Sequence, residues 1–146
     1  MRKLLLGLAL LALTPALSAG QPVNAVQVTI YRQGVTTPAV APLTFSLGQF
    51  QCGVPTTPPP SGIVDNPTQV RVPDPTTPSL DCLLTNPEVN SLLSQLGYDP
   101  VNVYIGRARY INSVGLGPES PDSNPFRQPG TTPSAAPAFL RWGRGQ

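Results

Sequence analysis

The chain has 146 residues, nine of them basic and seven acidic, and no histidine. That length holds one domain of ordinary size. Without histidine there is no Ser-His-Asp or Cys-His nucleophile, and the commonest general base and metal ligand are missing. A net charge of +2 also argues against general electrostatic capture of nucleic acid.

Residues 1–20 read as a secretory signal. Arg2 and Lys3 open it, Leu4 to Leu13 is a short apolar run, and Leu17-Ser18-Ala19-Gly20 offers small residues to a peptidase. The run is too short to span a bilayer, and no later stretch is apolar enough to do so. The expectation is an exported chain: periplasmic, on the cell surface or extracellular. Without Arg2 and Lys3, the nine basic residues fall to seven arginines against seven acids. The acids all lie between Asp65 and Asp122, while Arg127, Arg141 and Arg144 follow with no acid among them.

Val26, Val28 and Ile30 alternate with Gln27, Thr29 and Tyr31, the pattern of a half-buried strand ending at Gly34. Leu43, Phe45 and Leu47 form a second such run. The apolar phase then shifts to Phe50 and Cys52, which predicts a bulge at Gly48. The prolines of residues 55–62 exclude a central strand, and Pro73 and Pro75 confine residues 69–72 to an edge. Leu80 to Leu84 is a brief apolar run that carries Cys82.

Two cysteines in an exported chain point to a disulfide between Cys52 and Cys82, with two free thiols as the alternative. Such a bridge would close a Pro/Thr-rich loop and contribute about 3–4 kcal/mol in the chain-entropy model. Two thiols and no histidine do not make a zinc site. No metal or cofactor is expected.

One helix is predicted, over about residues 87–96. Asn86 or Thr85 can cap it, Pro87 suits a first turn and Glu88 favours the positive end of the dipole. Val89, Leu92, Leu93 and Leu96 share one face, and Gly97 is the expected stop. A helix this short needs something to lie on, and an open edge or end of the sheets is the expected place.

Val101 to Ile111 is the longest strand. Tyr104, Gly106, Ala108 and Tyr110 occupy one face; Ile105, Arg107, Arg109 and Ile111 occupy the other. An Asn-Ser turn and the corner Gly115-Leu116-Gly117-Pro118 follow. The frame of Tyr104, Gly106, Ala108, Tyr110 and Asn112, with the loop of Gly115, Gly117, Pro118 and Ser120, resembles the closing strand and loop of a fibronectin type III domain. That resemblance implies a mainly β, immunoglobulin-like antiparallel sandwich over residues 21–120. Tyr104 would begin its buried face and Arg107 and Arg109 would point outward. Residues 121–146 are expected to form a disordered Pro/Ser/Thr-rich tail.

The aspartates lie beside Pro or Asn, as turn formers do, and match no calcium loop. The candidate binding residues are Tyr104, Arg107, Arg109 and Tyr110 on the strand and Gly115 and Gly117 in the loop. Two arginines beside tyrosines can bind carboxylates or aromatic groups. Phe139, Leu140 and Trp142, flanked by Arg141 and Arg144, form a candidate anchor in the tail. The expected function is a non-catalytic adhesion or binding module with a protein or surface-glycan partner. The alternative is a structural subunit of a surface layer or appendage, self-associating as its arm docks on a neighbour.

Overall fold

A computed structural model describes residues 21–130 and 136–145. The expected signal, residues 1–20, lies outside the described residues. The chain forms β1 (Ala25–Arg32), β2 (Leu43–Ser46), β3 (Gln51–Pro55), β4 (Val64–Asp65), β5 (Val70–Pro73), β6 (Leu80–Leu84), helix α1 (Glu88–Ser94), β7 (Asp99–Ile111) and β8 (Phe126–Gln128). Five strands make one sheet in the order β2-β1-β7-β8-β4, and three make a second in the order β3-β6-β5.

The period-two pattern of β1 is read in the structure as expected. Val26, Val28 and Ile30 point into the core, as do Phe45 of β2 and Tyr104 of β7. Val72, Cys82 and Leu84 of the second sheet join the same cluster, so both sheets share one core. The link is also polar: the Tyr110 hydroxyl on β7 donates to the Pro73 carbonyl on β5.

At the expected bulge, residues Leu47–Gln49 make a 3-10 turn. The Ser46 amide donates to Gln49 Oε1 at 2.9 Å and holds that turn. The phase shift seen in the sequence is therefore a change of sheet, with β2 in the first and β3 in the second. A register shift does occur in β3, between Cys52 and Val54. Gly53 supplies it with φ +77°, a conformation that glycine adopts without cost. Val70–Pro73 is an edge strand, as its prolines require.

Cys52 and Cys82 face each other across β3 and β6 and are joined in a disulfide. It clamps the mouth of the Pro-rich excursion from residue 56 to residue 79. Helix α1 connects β6 of the second sheet to β7 of the first and buries Val89, Leu92 and Leu93. It begins one residue after Pro87 and carries no side-chain cap. Its end is held from elsewhere: Gln128 Nε2 of β8 donates to the carbonyls of Leu93 and Gly97, each at 3.2 Å. Gly97, at φ +72°, turns the chain out of the helix.

Three features depart from the expected sandwich. In immunoglobulin-type sandwiches the first strand and the penultimate one lie in opposite sheets; here β1 pairs with β7 through eight positions. The pairing of β4 with β8 is parallel, so the fold is not antiparallel throughout. The ordered chain also continues past residue 120: residues 126–128 form β8, and Asn66 exchanges two hydrogen bonds with Gly130. The prolines of residues 118–129 limit regular strand, yet the segment finds partners for its backbone along β7.

Leu92 is 2% exposed, so Leu92→Ala should destabilise the fold by about 2–5 kcal/mol. Urea unfolding monitored by far-UV circular dichroism checks this, and a loss below about 1 kcal/mol would count against the core as described. Replacing both cysteines by alanine should cost about 3–4 kcal/mol in the same assay.

Candidate functional site

The outward face of β1 and β7 carries the arginines. Thr29 lies opposite Arg107 and Tyr31 opposite Ile105. Tyr31 and Ile105 are both buried although they face away from the core shared by the sheets. The segment after the glycine corner, residues 117–125, runs along the edge of β7 and reaches this face at Tyr31, Arg107 and Arg109; it is termed the strap.

The strap follows β7 in steps of three residues against steps of two. Gly117 donates its amide to the Tyr110 carbonyl at 2.8 Å, Ser120 to Ala108 at 2.9 Å and Ser123 to Gly106 at 2.9 Å. Phe126 then stands opposite Tyr104. The serines also work in reverse: Ala108 donates to Ser120 Oγ at 2.9 Å and Gly106 to Ser123 Oγ at 2.8 Å. Each serine thus completes both backbone groups of one β7 residue. Gly117 allows a close approach: a Cβ there would stand a tight 3.2 Å from the Tyr110 carbonyl oxygen and would press the strap a few tenths of an ångström away.

A second set of residues on the strap carries the charge. Glu119 Oε1 lies 2.8 Å from Arg107 Nη1, and Asp122 Oδ1 lies 2.6 Å from Arg107 Nε. Arg109 Nη2 is 3.8 Å from Glu119 Oε2 and its Nη1 donates to the Gly117 carbonyl. Tyr31 donates its hydroxyl to Glu119 Oε2 at 2.8 Å, and the Arg107 guanidinium sits 4.7 Å over the Tyr31 ring. The hydrogen bond from Arg107, and then that from Tyr31, holds the Glu119 carboxyl below the usual glutamate range. The same carboxylate pushes the Tyr31 hydroxyl up, mainly through their hydrogen bond and then through burial. The two acids raise the Arg107 guanidinium further still.

The candidate residues therefore separate. Arg107 and Arg109 share the outer face as expected, and their donors are turned to the strap. Tyr104 and Tyr110 lie on the opposite face, where Tyr104 is core and Tyr110 ties the sheets together. Tyr104 also donates to Asp99 Oδ2 at 2.7 Å. That bond, with others from Asn102 and the Val101 amide, holds Asp99 far below the usual carboxylate range. Gly115, at φ +148°, closes the turn from Asn112, while Gly117 begins the strap. Tyr31, Glu119, Asp122, Ser120 and Ser123 were not among the candidates. The signal for four of them is the recurrence at three residues of small or hydroxyl side chains, 117-120-123, and of acids, 119-122, within a proline-rich run.

Other carboxylates are similarly engaged. Asp65 pairs with Arg127, Asp74 accepts from Thr76, and Asp81 accepts from Thr56 and lies 3.5 Å from Arg71. Cys52, Cys82 and Asp74 bring ligand atoms within 4.8 Å of one another, but both sulfurs are bound in the disulfide and neither offers a thiolate.

Large apolar side chains are exposed at Tyr98 and Val101 around the start of β7, at the loop tip and in the arm, residues 136–145. Val114 is 84% exposed, and Phe139, Leu140 and Trp142 are 67%, 79% and 91% exposed. Arg141 stacks its guanidinium 4.7 Å over the Phe139 ring. A shallow cleft of about 360 Å³ lies between the loop of Val35 to Val40 and Leu96 at the end of the helical turn, with Arg32 on its wall. No helix among the described residues is long and apolar enough to cross a membrane.

The fold and this surface define a mainly β protein with two sheets, one helix and one disulfide. Comparison with protein-family models, characterised proteins and solved structures returned no match.

The Glu119 network has a definite pH dependence. A carboxyl whose folded pKa is depressed contributes stability that is complete above its unfolded value, about 4.3, and is lost as the pH falls through the folded value. Wild type should therefore exceed Glu119→Gln in stability at neutral pH, and the gap should close as the solution is acidified below the ordinary glutamate range. Thermal unfolding across that range is the check; a gap that stays constant into strong acid would contradict the assignment.

Proposed function

We propose that this chain is an exported, non-catalytic interaction module that meets its partner through the arm. The observation that carries the reading is the exposure of Phe139, Leu140 and Trp142 together beside Arg141. Large aromatic and aliphatic side chains next to arginine are the composition of binding anchors. The disulfide supports an oxidising compartment outside the cytoplasm. The engagement of Asp65, Asp74, Asp81, Asp99, Glu119 and Asp122 by their neighbours supports a non-catalytic role, because acid–base chemistry needs carboxyls poised to exchange protons. The glycine corner after β7 supports the same reading by its likeness to the binding loops of fibronectin type III domains, with a strand order that is this chain's own. The partner class remains a protein or a surface glycan.

A second reading, a structural subunit that docks on copies of itself, is favoured by apolar exposure at the β7 turn, where Val114 and Leu116 are 84% and 56% exposed.

Trp142 is the sole tryptophan, so its emission reports arm docking directly. The full chain should cosediment with isolated cell-envelope material and its emission should shift to the blue. Replacing Phe139, Leu140 and Trp142 together by alanine should weaken cosedimentation by at least about tenfold, the effect of losing one aromatic anchor. Equal sedimentation of both proteins, with unshifted wild-type emission, would sink the arm as the contact element.

A further inference from the structure

We propose that the second threonine of each Thr-Thr-Pro triplet, Thr37, Thr57, Thr77 and Thr132, carries an O-linked sugar, placed there by a transferase that reads the triplet; this rests on the reading of the chain as exported. The triplet occurs four times, at residues 36–38, 56–58, 76–78 and 131–133, and these copies hold eight of the thirteen threonines. No two threonines adjoin without a proline after them. Threonine and proline drawn together in this way are the composition of O-glycosylated segments.

The fold does not account for the recurrence. The first copy lies between β1 and β2, where Pro38 bridges to Tyr31, the second follows β3, and the third lies between β5 and β6. The fourth lies outside the described residues. Three different backbone settings have no common need for one tripeptide. All six described threonines of these copies are exposed. Two of the first threonines serve the fold: Thr56 donates its hydroxyl to the Ser79 carbonyl at 3.0 Å, and Thr76 donates to Asp74 Oδ1 at 2.8 Å. The second threonines do not, since no hydrogen bond among the described residues uses the Thr37, Thr57 or Thr77 hydroxyl. What the copies share is a surface hydroxyl directly before a proline. Proline biases the residue before it toward extended backbone, and an extended segment suits a recognition groove.

The transfer balances with one co-reactant, an activated sugar whose anomeric carbon is bonded to a phosphate oxygen. The threonine Oγ forms a bond to that carbon, the carbon–oxygen bond to phosphate breaks, and the phosphate leaves with the electron pair. The hydroxyl proton passes to a base of the transferase. Sugars on Thr57 and Thr77 would stand near the two ends of the Pro-rich excursion that the Cys52–Cys82 bridge clamps. All four threonines are distinct from the anchors of the arm, which begin at Phe139.

Mass spectrometry of the full chain purified from the organism that makes it tests this. The expected result is a mass above that of the polypeptide by whole sugar residues, lost on mild alkaline β-elimination and placed by peptide fragmentation on Thr37, Thr57, Thr77 and Thr132. Replacing these four together by valine, in the same organism, should remove the added mass. Bare threonines, a phosphate in place of a sugar, or an added mass that the four substitutions leave unchanged overturns the inference. If the substituted chain does not accumulate, the fragmentation map of the natural chain decides alone. The amino terminus separates this from the reading it rests on. Bare threonines on a chain that has lost residues 1–20 overturn glycosylation and leave export standing; bare threonines on a chain that keeps them overturn both.

Discussion

The eight-residue pairing of β1 with β7 is the constraint on which the rest of the structure depends. It sets Val26 opposite Tyr110, Val28 opposite Ala108 and Ile30 opposite Gly106 on the inner face. Bulk on one strand meets small residues on the other, which accounts for a glycine and an alanine in the middle of the longest strand. Because side chains alternate, a slip of one residue would turn Arg107 and Arg109 into the core and Tyr104 out of it. Burial of the inner face thereby decides that the arginines look outward, and everything assembled on them follows.

Pairing with β1 leaves the other edge of β7 open, and its backbone groups need partners. A proline-rich segment cannot offer a regular ladder, since each proline lacks a donor. Ser120 and Ser123 solve this by donating through the amide and accepting through Oγ. The charges are arranged on the same economy. Arg107 is roughly one-third exposed and stacks on Tyr31, and two carboxylates satisfy its fork of donors. The arginines are thereby engaged by the molecule itself, while exposed apolar side chains stand elsewhere, at Tyr98 and Val101 around the start of β7, at the turn and in the arm.

Local pattern made several parts of this legible. The alternation in β1, the helical face of Val89, Leu92 and Leu93, the edge character of Val70–Pro73 and the Cys52–Cys82 bridge all rest on short-range rules, and all are present. The strand order was not legible, because the pairing of β1 with β7 spans most of the chain and no local signal records it. The tail boundary failed for a related reason. Pro, Ser and Asp in residues 118–125 have the composition of disordered chain, and their order comes from groups on β7 that composition does not contain. The candidate site was half visible: Arg107 and Arg109 stood out as charges on a strand, but their partners Glu119 and Asp122 read as ordinary turn acids.

The step of three along a step of two makes the strap a gear with coarse teeth. Gly117 fixes where the strap starts on Tyr110, so one residue gained or lost between Gly117 and Glu119 would rotate serines away from the strand and acids away from Arg107 together. A whole triplet would keep the mesh and merely carry Phe126 one pair further along β7. Length variation in this segment among natural or designed variants is therefore expected to come in multiples of three, a spacing rule more often met in fibres than in small domains.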